Sequence, residues 1–212
     1  MKRTVLVCLV VAMTGGCAPP NGNASLAPRP TASDLDIVVE MHEGRLEAAR
    51  YTFSGFEPRI VVDVGDGWEG LHLLSEFWDV VRGEPDDLVS LHFSRPEVIF
   101  GRGTGVEAAS AREALAAWRA NDNITVDQPR DVTLDGRSGL EVDLINESAP
   151  LAHLWGAREG RFGVGEGITV RVIAIDLDDG LLLVGRQGNT ASFGRVVAET
   201  EPMLASVRIG GQ

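Results

Sequence analysis

Lysine and cysteine are almost absent from this 212-residue sequence. Its one lysine is Lys2, and its two cysteines, Cys8 and Cys17, both lie near the N-terminus. Beyond residue 17 the chain therefore has no amine for a Schiff base or a P-loop, and no thiol for a disulfide, a cysteine nucleophile or a thiolate metal site. The rest of the chain must be stabilised by an ordinary apolar core.

Positive charge is also scarce, because 31 Asp and Glu residues outnumber 19 Lys and Arg and give a formal net charge of −12. Nucleic acids and anionic lipid surfaces are bound by clustered cations, so this balance disfavours both as partners. Long apolar runs are missing too. The run at residues 5–13 is too short for a membrane-spanning helix, which needs about 20 residues.

The N-terminus has the features of an export signal. Lys2 and Arg3 precede the apolar run, and small residues follow it at positions 14–16. Residues 14–17, TGGC, resemble the lipobox of bacterial prolipoproteins, although Thr14 stands where leucine is usual. This resemblance implies cleavage before Cys17 and lipidation of Cys17 with palmitate-type chains, which would anchor the protein to the lipid bilayer on the extracytoplasmic face of the cell membrane. The alternative is an ordinary secretory signal that leaves Cys17 as a free thiol.

Composition divides the chain into three parts. Residues 1–16 are the predicted lipoprotein signal peptide. Residues 17–34 are predicted to be a disordered Pro-rich tether, because they contain four prolines and no apolar periodicity. Residues 35–212 are predicted to form a single α+β domain of ordinary size.

Alternating apolar residues and glycine-marked turns predict many strands in this domain. The clearest pair, at 168–177 and 181–186, is joined by a predicted hairpin turn at 178–180. By contrast, we expect residues 149–167 to be a Gly-rich excursion loop. The segment from 71 to 81 is predicted to be a strand up to Leu74 and irregular or a short helix afterwards.

Two helices are predicted among these strands. The first covers about 110–121 and begins with a capping box formed by Ser110 and Glu113. The second covers 192–205, and Ser192 can cap it. Strands interrupted by helices predict an α+β fold, in which an antiparallel β-sheet carries the two main helices.

Parts of the sequence resemble known bacterial domains. Residues 46–51, 56–60 and 67–68 resemble the opening of a group of uncharacterised extracytoplasmic domains. The last hairpin, the second helix and residues 204–209 resemble the ending of PsbP-like and LpqN-type lipoprotein domains. The resemblance implies an α/β/α-type sandwich and an accessory or binding role in the cell envelope. The matching residues are structural, so no catalytic residue or cofactor is implied.

No catalytic or metal-binding pattern stands out along the chain. Ser90, His92 and Ser94 share one face of a predicted strand, which a solvated sheet face explains better than a serine–histidine pair. Glu141 and Asp143 are likewise expected to line a solvated face. The four histidines have no metal-ligand spacing. They are His42, His72, His92 and His153. We therefore predict no catalytic residue, no metal and no cofactor.

Trp155 has the least evident structural role in the sequence. It lies in the Gly-rich stretch beside His153 and shortly before Arg158. An aromatic ring and an arginine on a loop are typical of ligand or partner contacts, so these three residues are the predicted contact site. The alternative is that Trp155 packs back onto the sheet and holds the loop in place.

Together these features predict a membrane-anchored extracytoplasmic lipoprotein that acts as a non-enzymatic binding or accessory module of the cell envelope. Its partner would be an envelope protein or a small molecule, and not a nucleic acid. Two alternatives remain open. One is a hydrolase whose site assembles in space around His92 or His153, and the other is a purely structural envelope component.

Overall fold

The computed structural model describes residues 37–84, 87–102, 105–107, 109–147, 151–158 and 160–210. The predicted signal peptide, the predicted tether and Cys17 lie outside these residues. In the described part, strands account for 53% of the residues and helices for 16%. No helix in this part is long and apolar enough to cross a membrane.

The largest sheet, called here the central sheet, has nine strands. They are β2 (Gly44–Arg45), β5 (Glu69–Leu74), β6 (Phe77–Arg82), β7 (Val89–Ser94), β10 (Thr125–Val126), β11 (Arg130–Leu134), β12 (Arg137–Asn146), β15 (Ile168–Leu177) and β16 (Gly180–Asn189). Their order is β10-β12-β15-β16-β7-β6-β5-β2, and β11 also pairs with β12. All these pairs are antiparallel.

Two four-stranded sheets accompany the central sheet. The first flanking sheet has the order β1-β3-β4-β17 and consists of β1 (Val38–Glu40), β3 (Ala49–Thr52), β4 (Ile60–Val64) and β17 (Arg208–Ile209). The second flanking sheet has the order β14-β13-β8-β9 and consists of β8 (Val98–Phe100), β9 (Gly105–Glu107), β13 (Ala152–Ala157) and β14 (Gly160–Val164). The two α-helices are α1 (Ala111–Arg119) and α2 (Phe193–Ser206), and a 3-10 turn at Thr190–Ser192 precedes α2.

The central sheet is buried on both faces, because alternate residues of its strands enter two different cores. On β15, Ile173 and Ile175 belong to a first core, which also contains residues of the first flanking sheet and α2. Val172 and Ala174 belong to a second core, which contains residues of the second flanking sheet and α1. Since successive side chains of a strand point to opposite faces, the chain forms three layers with the central sheet in the middle.

The prediction of an α+β fold with two main helices on one sheet is wrong, and so is the α/β/α sandwich that the resemblance implied. Both helices occur near their predicted positions, at Ala111–Arg119 and Phe193–Ser206, but the first has only nine residues. Within the described residues the fold is mostly β, with seventeen strands in three sheets. The outer layers are built largely from strands of two to six residues, which are too short to show a clear alternating pattern.

Two local predictions also need correction. The expected loop at 149–167 contains the antiparallel pair β13 and β14. The segment after Leu74 turns at once into strand β6 and pairs with β5, rather than forming a helix. By contrast, the hairpin of β15 and β16 and the capping of α1 by Ser110 are confirmed.

Candidate functional site

An open groove of about 380 Å³ lies between α2 and the central sheet, and we call it the arginine groove. Strands β11, β12, β15 and β16 supply its sheet wall, and the last turns of α2 supply the opposite wall. Apolar side chains line part of it, namely Val132, Leu134, Ile173, Val197 and Leu204. Five charged side chains also line it, namely Arg130, Glu141, Arg171, Arg186 and Glu201.

Strand register places the charged side chains of the sheet wall together. Arg130 lies opposite Glu141 in the β11–β12 pair, and Asp143 lies opposite Arg171 in the β12–β15 pair. Arg171 in turn lies opposite Arg186 in the β15–β16 pair. Directly opposed residues share one face of a sheet, and so do Glu141 and Asp143, which are two residues apart on β12. All five side chains therefore lie on the face that carries α2.

These groups form a chain of charge-assisted hydrogen bonds. Arg171 donates through Nε and Nη2 to the two carboxylate oxygens of Asp143, both at 2.6 Å. Arg186 donates from Nη2 to Oε1 of Glu141, whose Oε2 accepts from Arg130 Nη2 at 2.8 Å. The bond to Asp143 raises the pKa of Arg171 despite partial burial, which keeps this guanidinium charged.

A third carboxylate joins these hydrogen bonds from α2. Oε2 of Glu201 accepts from Nη1 of Arg186 at 2.8 Å. The side chains of Arg186 and Glu141 are only 5% and 10% exposed, whereas that of Glu201 is 62% exposed. Among the described residues, the sheet wall therefore brings three guanidinium groups against two carboxylates, and an exposed helix residue balances the remaining charge.

The expectation that Glu141 and Asp143 line a solvated face is wrong for Glu141, which is buried. The prediction failed because alternation shows that two residues share a face but not what covers it. A usable signal was present in Arg171 and Arg186, which interrupt the two most apolar strands of the chain. A charged residue in such a strand needs a partner, and the carboxylates of β12 are that partner.

His92 lies on the other face of the central sheet, in the second core. Ser90, His92 and Ser94 are all buried. The prediction that they line a solvated sheet face is therefore wrong. The imidazole packs against the rings of Phe162 at 4.7 Å and Trp155 at 5.6 Å. Neither of its ring nitrogens has a hydrogen-bond partner among the described residues, and burial lowers its pKa to about 3. His92 is therefore neutral and is not paired with either serine.

A histidine–carboxylate pair lies on the neighbouring strands. Nδ1 of His72 is 3.2 Å from each carboxylate oxygen of Asp79, and this hydrogen bond raises the pKa of His72. Asp79 also accepts from the backbone N–H of residue 72 at 2.8 Å. In the described part of the chain, no group of three or more His, Cys, Asp or Glu residues could hold a metal ion.

The predicted contact residues Trp155, His153 and Arg158 are not brought together at one opening. Trp155 is buried in the second core, where it stacks on Phe162 at 4.2 Å. His153 lies 5.8 Å from the ring of Phe100, and burial, together with the charge of Arg161, lowers its pKa. Arg158 is exposed at the turn between β13 and β14. Trp155 thus packs onto the central sheet, and a contact role for the three residues stays a prediction.

No family model matches the sequence, and no curated protein matches it at a significant level. Among solved structures, a crystal structure from Bacteroides thetaiotaomicron VPI-5482 is similar over 72% of this chain, with 8% sequence identity and a TM-score of 0.37. The matched part covers 46% of the length of that chain. A likeness at this level carries no argument about fold or function.

Proposed function

We propose that the protein is a lipid-anchored lipoprotein on the extracytoplasmic face of the cell membrane, where it acts as a non-enzymatic binding module for a small anionic ligand. The proposed anchor rests on the resemblance of residues 14–17 to a lipobox. The proposed ligand site is the arginine groove. One observation carries it, namely the meeting of three guanidinium groups with only two carboxylates on the sheet wall.

The lining of the groove indicates what kind of anion would fit. Arginine side chains bind carboxylates through paired, directional hydrogen bonds, while Ile173 and Leu204 offer apolar contact beside them. A volume of about 380 Å³ lies at the lower end of the range for small-molecule pockets. A carboxylate with a short apolar body satisfies both kinds of lining.

The test compares three six-carbon probes on the full chain, purified from membranes into lipid nanodiscs, with empty nanodiscs as the blank. We expect hexanoate to bind with a Kd of about 1 mM or tighter by titration calorimetry. 1-Hexanol and hexylammonium offer the same apolar body without the negative charge, so neither should bind measurably.

A pair of variants locates the site. Arg130→Gln removes the excess positive charge of the sheet wall, and Arg130 is exposed enough to be replaced without opening the core. We expect Arg130→Gln to weaken hexanoate binding about fivefold, which corresponds to the upper end of the free energy that an exposed ion pair contributes. Arg102→Gln is the matched control, because Arg102 pairs with Asp122 at 2.7 Å and does not line the groove. Equal binding of hexanoate and 1-hexanol, or equal effects of the two variants, would overturn the proposal.

A further inference from the structure

Glu201 differs from the two carboxylates of the sheet wall. Glu141 and Asp143 belong to the central sheet, and their side chains are 10% and 15% exposed. Glu201 belongs to α2, and most of its side chain is in solvent. It reaches into the groove through one hydrogen bond, from Nη1 of Arg186 to its Oε2.

The two partners of this hydrogen bond differ in how much each loses when the bond breaks. Arg186 is almost completely buried, and Glu141 already holds its Nη2, so an unoccupied Nη1 would leave a buried guanidinium partly unsatisfied. Glu201 loses little on leaving, because water solvates an exposed carboxylate well and exposed ion pairs contribute little. Nη1 therefore needs a hydrogen-bond acceptor, and a well-placed carboxylate supplies a stronger, charge-assisted bond than a neutral oxygen does.

We propose that Glu201 is an internal stand-in for the carboxylate of the ligand. When the ligand binds, its carboxylate takes the position of the Glu201 carboxylate on Arg186 Nη1, and Glu201 turns into solvent. This inference rests on the proposed function of the groove. No bond other than hydrogen bonds changes, and one carboxylate replaces another, so the charge inside the groove stays the same.

This exchange predicts which anion the groove selects. The sheet wall has one positive charge in excess, which matches a single carboxylate. Adipate has the same number of carbons as hexanoate but brings a second negative charge towards Glu141 and Asp143. Hexanoate should therefore bind more tightly than adipate, and the difference should decrease as salt screens the second charge.

The decisive variant is Glu201→Gln, which removes the competing charge and keeps the size of the side chain. We expect the affinity for hexanoate to rise about two- to fivefold, the range that exposed ion pairs span. The matched control is Glu199→Gln, which changes the charge of the same helix equally. Glu199 lies near Arg82 and Arg195, at 3.7 and 3.8 Å, and does not line the groove. The affinity of the Glu199→Gln variant for hexanoate should equal that of the wild type.

The outcomes separate this inference from the function on which it rests. Equal hexanoate affinity in the wild type and Glu201→Gln would overturn the proposed role of Glu201, but it would not contradict the proposed binding site. An equal gain in Glu201→Gln and Glu199→Gln would reveal a general charge effect and also overturn it. If hexanoate binds to neither the wild type nor Glu201→Gln, the proposed function fails and the stand-in fails with it. Far-UV circular dichroism of each variant verifies that it is folded.

Discussion

At the residue scale, His92 combines complete burial with two ring nitrogens that lack hydrogen-bond partners among the described residues. Its neighbours are aromatic rings, and Gly185 lies directly opposite on β16. A Cβ at Gly185 would lie within van der Waals overlap of the imidazole, so glycine is the residue that leaves room for the ring. The site accepts a neutral imidazole and penalises a charged one.

This burial predicts that the protein loses stability in acid. The pKa of His92 is about 3 in the folded chain, against an ordinary value of 6.5. Between these values the unfolded chain binds a proton that folded His92 does not, so the free energy of unfolding falls as the pH decreases, by about 1.4 kcal/mol per pH unit. In the variant His92→Leu this contribution is absent. Urea unfolding at pH 7 and pH 4.5 should show a loss about 2–3 kcal/mol larger in the wild type than in the variant.

Two further histidines keep this measurement interpretable. The pKa of His72 is raised by Asp79, so its contribution to stability is present at low pH and is lost as the pH rises through its folded pKa, opposite to that of His92. The contribution of His72 is the same in the wild type and in His92→Leu, so it cancels when the free energies of unfolding of the two proteins are subtracted. His42→Leu is the matched control for replacing a histidine by leucine, because His42 is exposed and lies outside the second core. Parallel pH curves for the wild type and His92→Leu would refute the assignment.

At the element scale, the start of α1 depends on Ser110. Its Oγ accepts from the backbone N–H of Glu113 at 3.3 Å and donates to the Glu113 carboxylate at 3.0 Å. The variant Ser110→Ala removes this cap and should lower the free energy of unfolding by about 1 kcal/mol in urea titrations.

Ser192 provides the comparison for this helix cap. It precedes α2 in the same way, but within the described part of the chain its side chain makes no capping hydrogen bond to the helix. Its Oγ is instead 3.3 Å from a carboxylate oxygen of Asp87. Ser192→Ala should therefore cost clearly less than Ser110→Ala. Equal losses would mean that the Ser110 hydrogen bonds do not stabilise the helix.

Elements with a strong local signal could be predicted from the sequence, and elements made by distant pairing could not. The capping box of α1 and the ten-residue strands β15 and β16 have such a signal, and both are present. The sequence predicts a loop where the β13–β14 pair lies, because glycine usually marks turns. In the sheet, Gly163 instead allows close packing, since a Cβ there would be 2.8 Å from the carbonyl oxygen of Ala152.

At the scale of the whole molecule, the three-layer arrangement depends on pairs between distant parts of the chain. Strand β17 pairs with β4, and β13 pairs with β8, across separations that no local pattern encodes. The arginine groove has the same origin, because Arg130 and Glu201 line one groove only when β15, β16 and α2 are packed together. Its charged residues can be recognised one by one in the sequence, but their assembly around one groove is a consequence of strand register and layer packing.

The charge of the whole chain makes the proposed lipid anchor testable. Cleavage before Cys17 would remove Lys2 and Arg3 but no acidic residue, so the exported protein would be still more acidic than the full chain at −12. Anionic lipid surfaces repel such a protein, and membrane association should then depend on the acyl chains alone. We expect Cys17→Ser to abolish palmitate labelling and to move the protein from the membrane fraction to the soluble fraction.

Cys8→Ser is the matched control for this experiment, because Cys8 lies inside the apolar run of the predicted signal peptide. It should keep both the label and the membrane association of the wild type. A Cys17→Ser protein that loses the label and stays with membranes in high salt would be held either by an uncleaved apolar run at residues 5–13 or by apolar contacts of the folded domain. A label that persists in Cys17→Ser would contradict the predicted lipobox, since Cys8 is then the only cysteine in the sequence that could carry it.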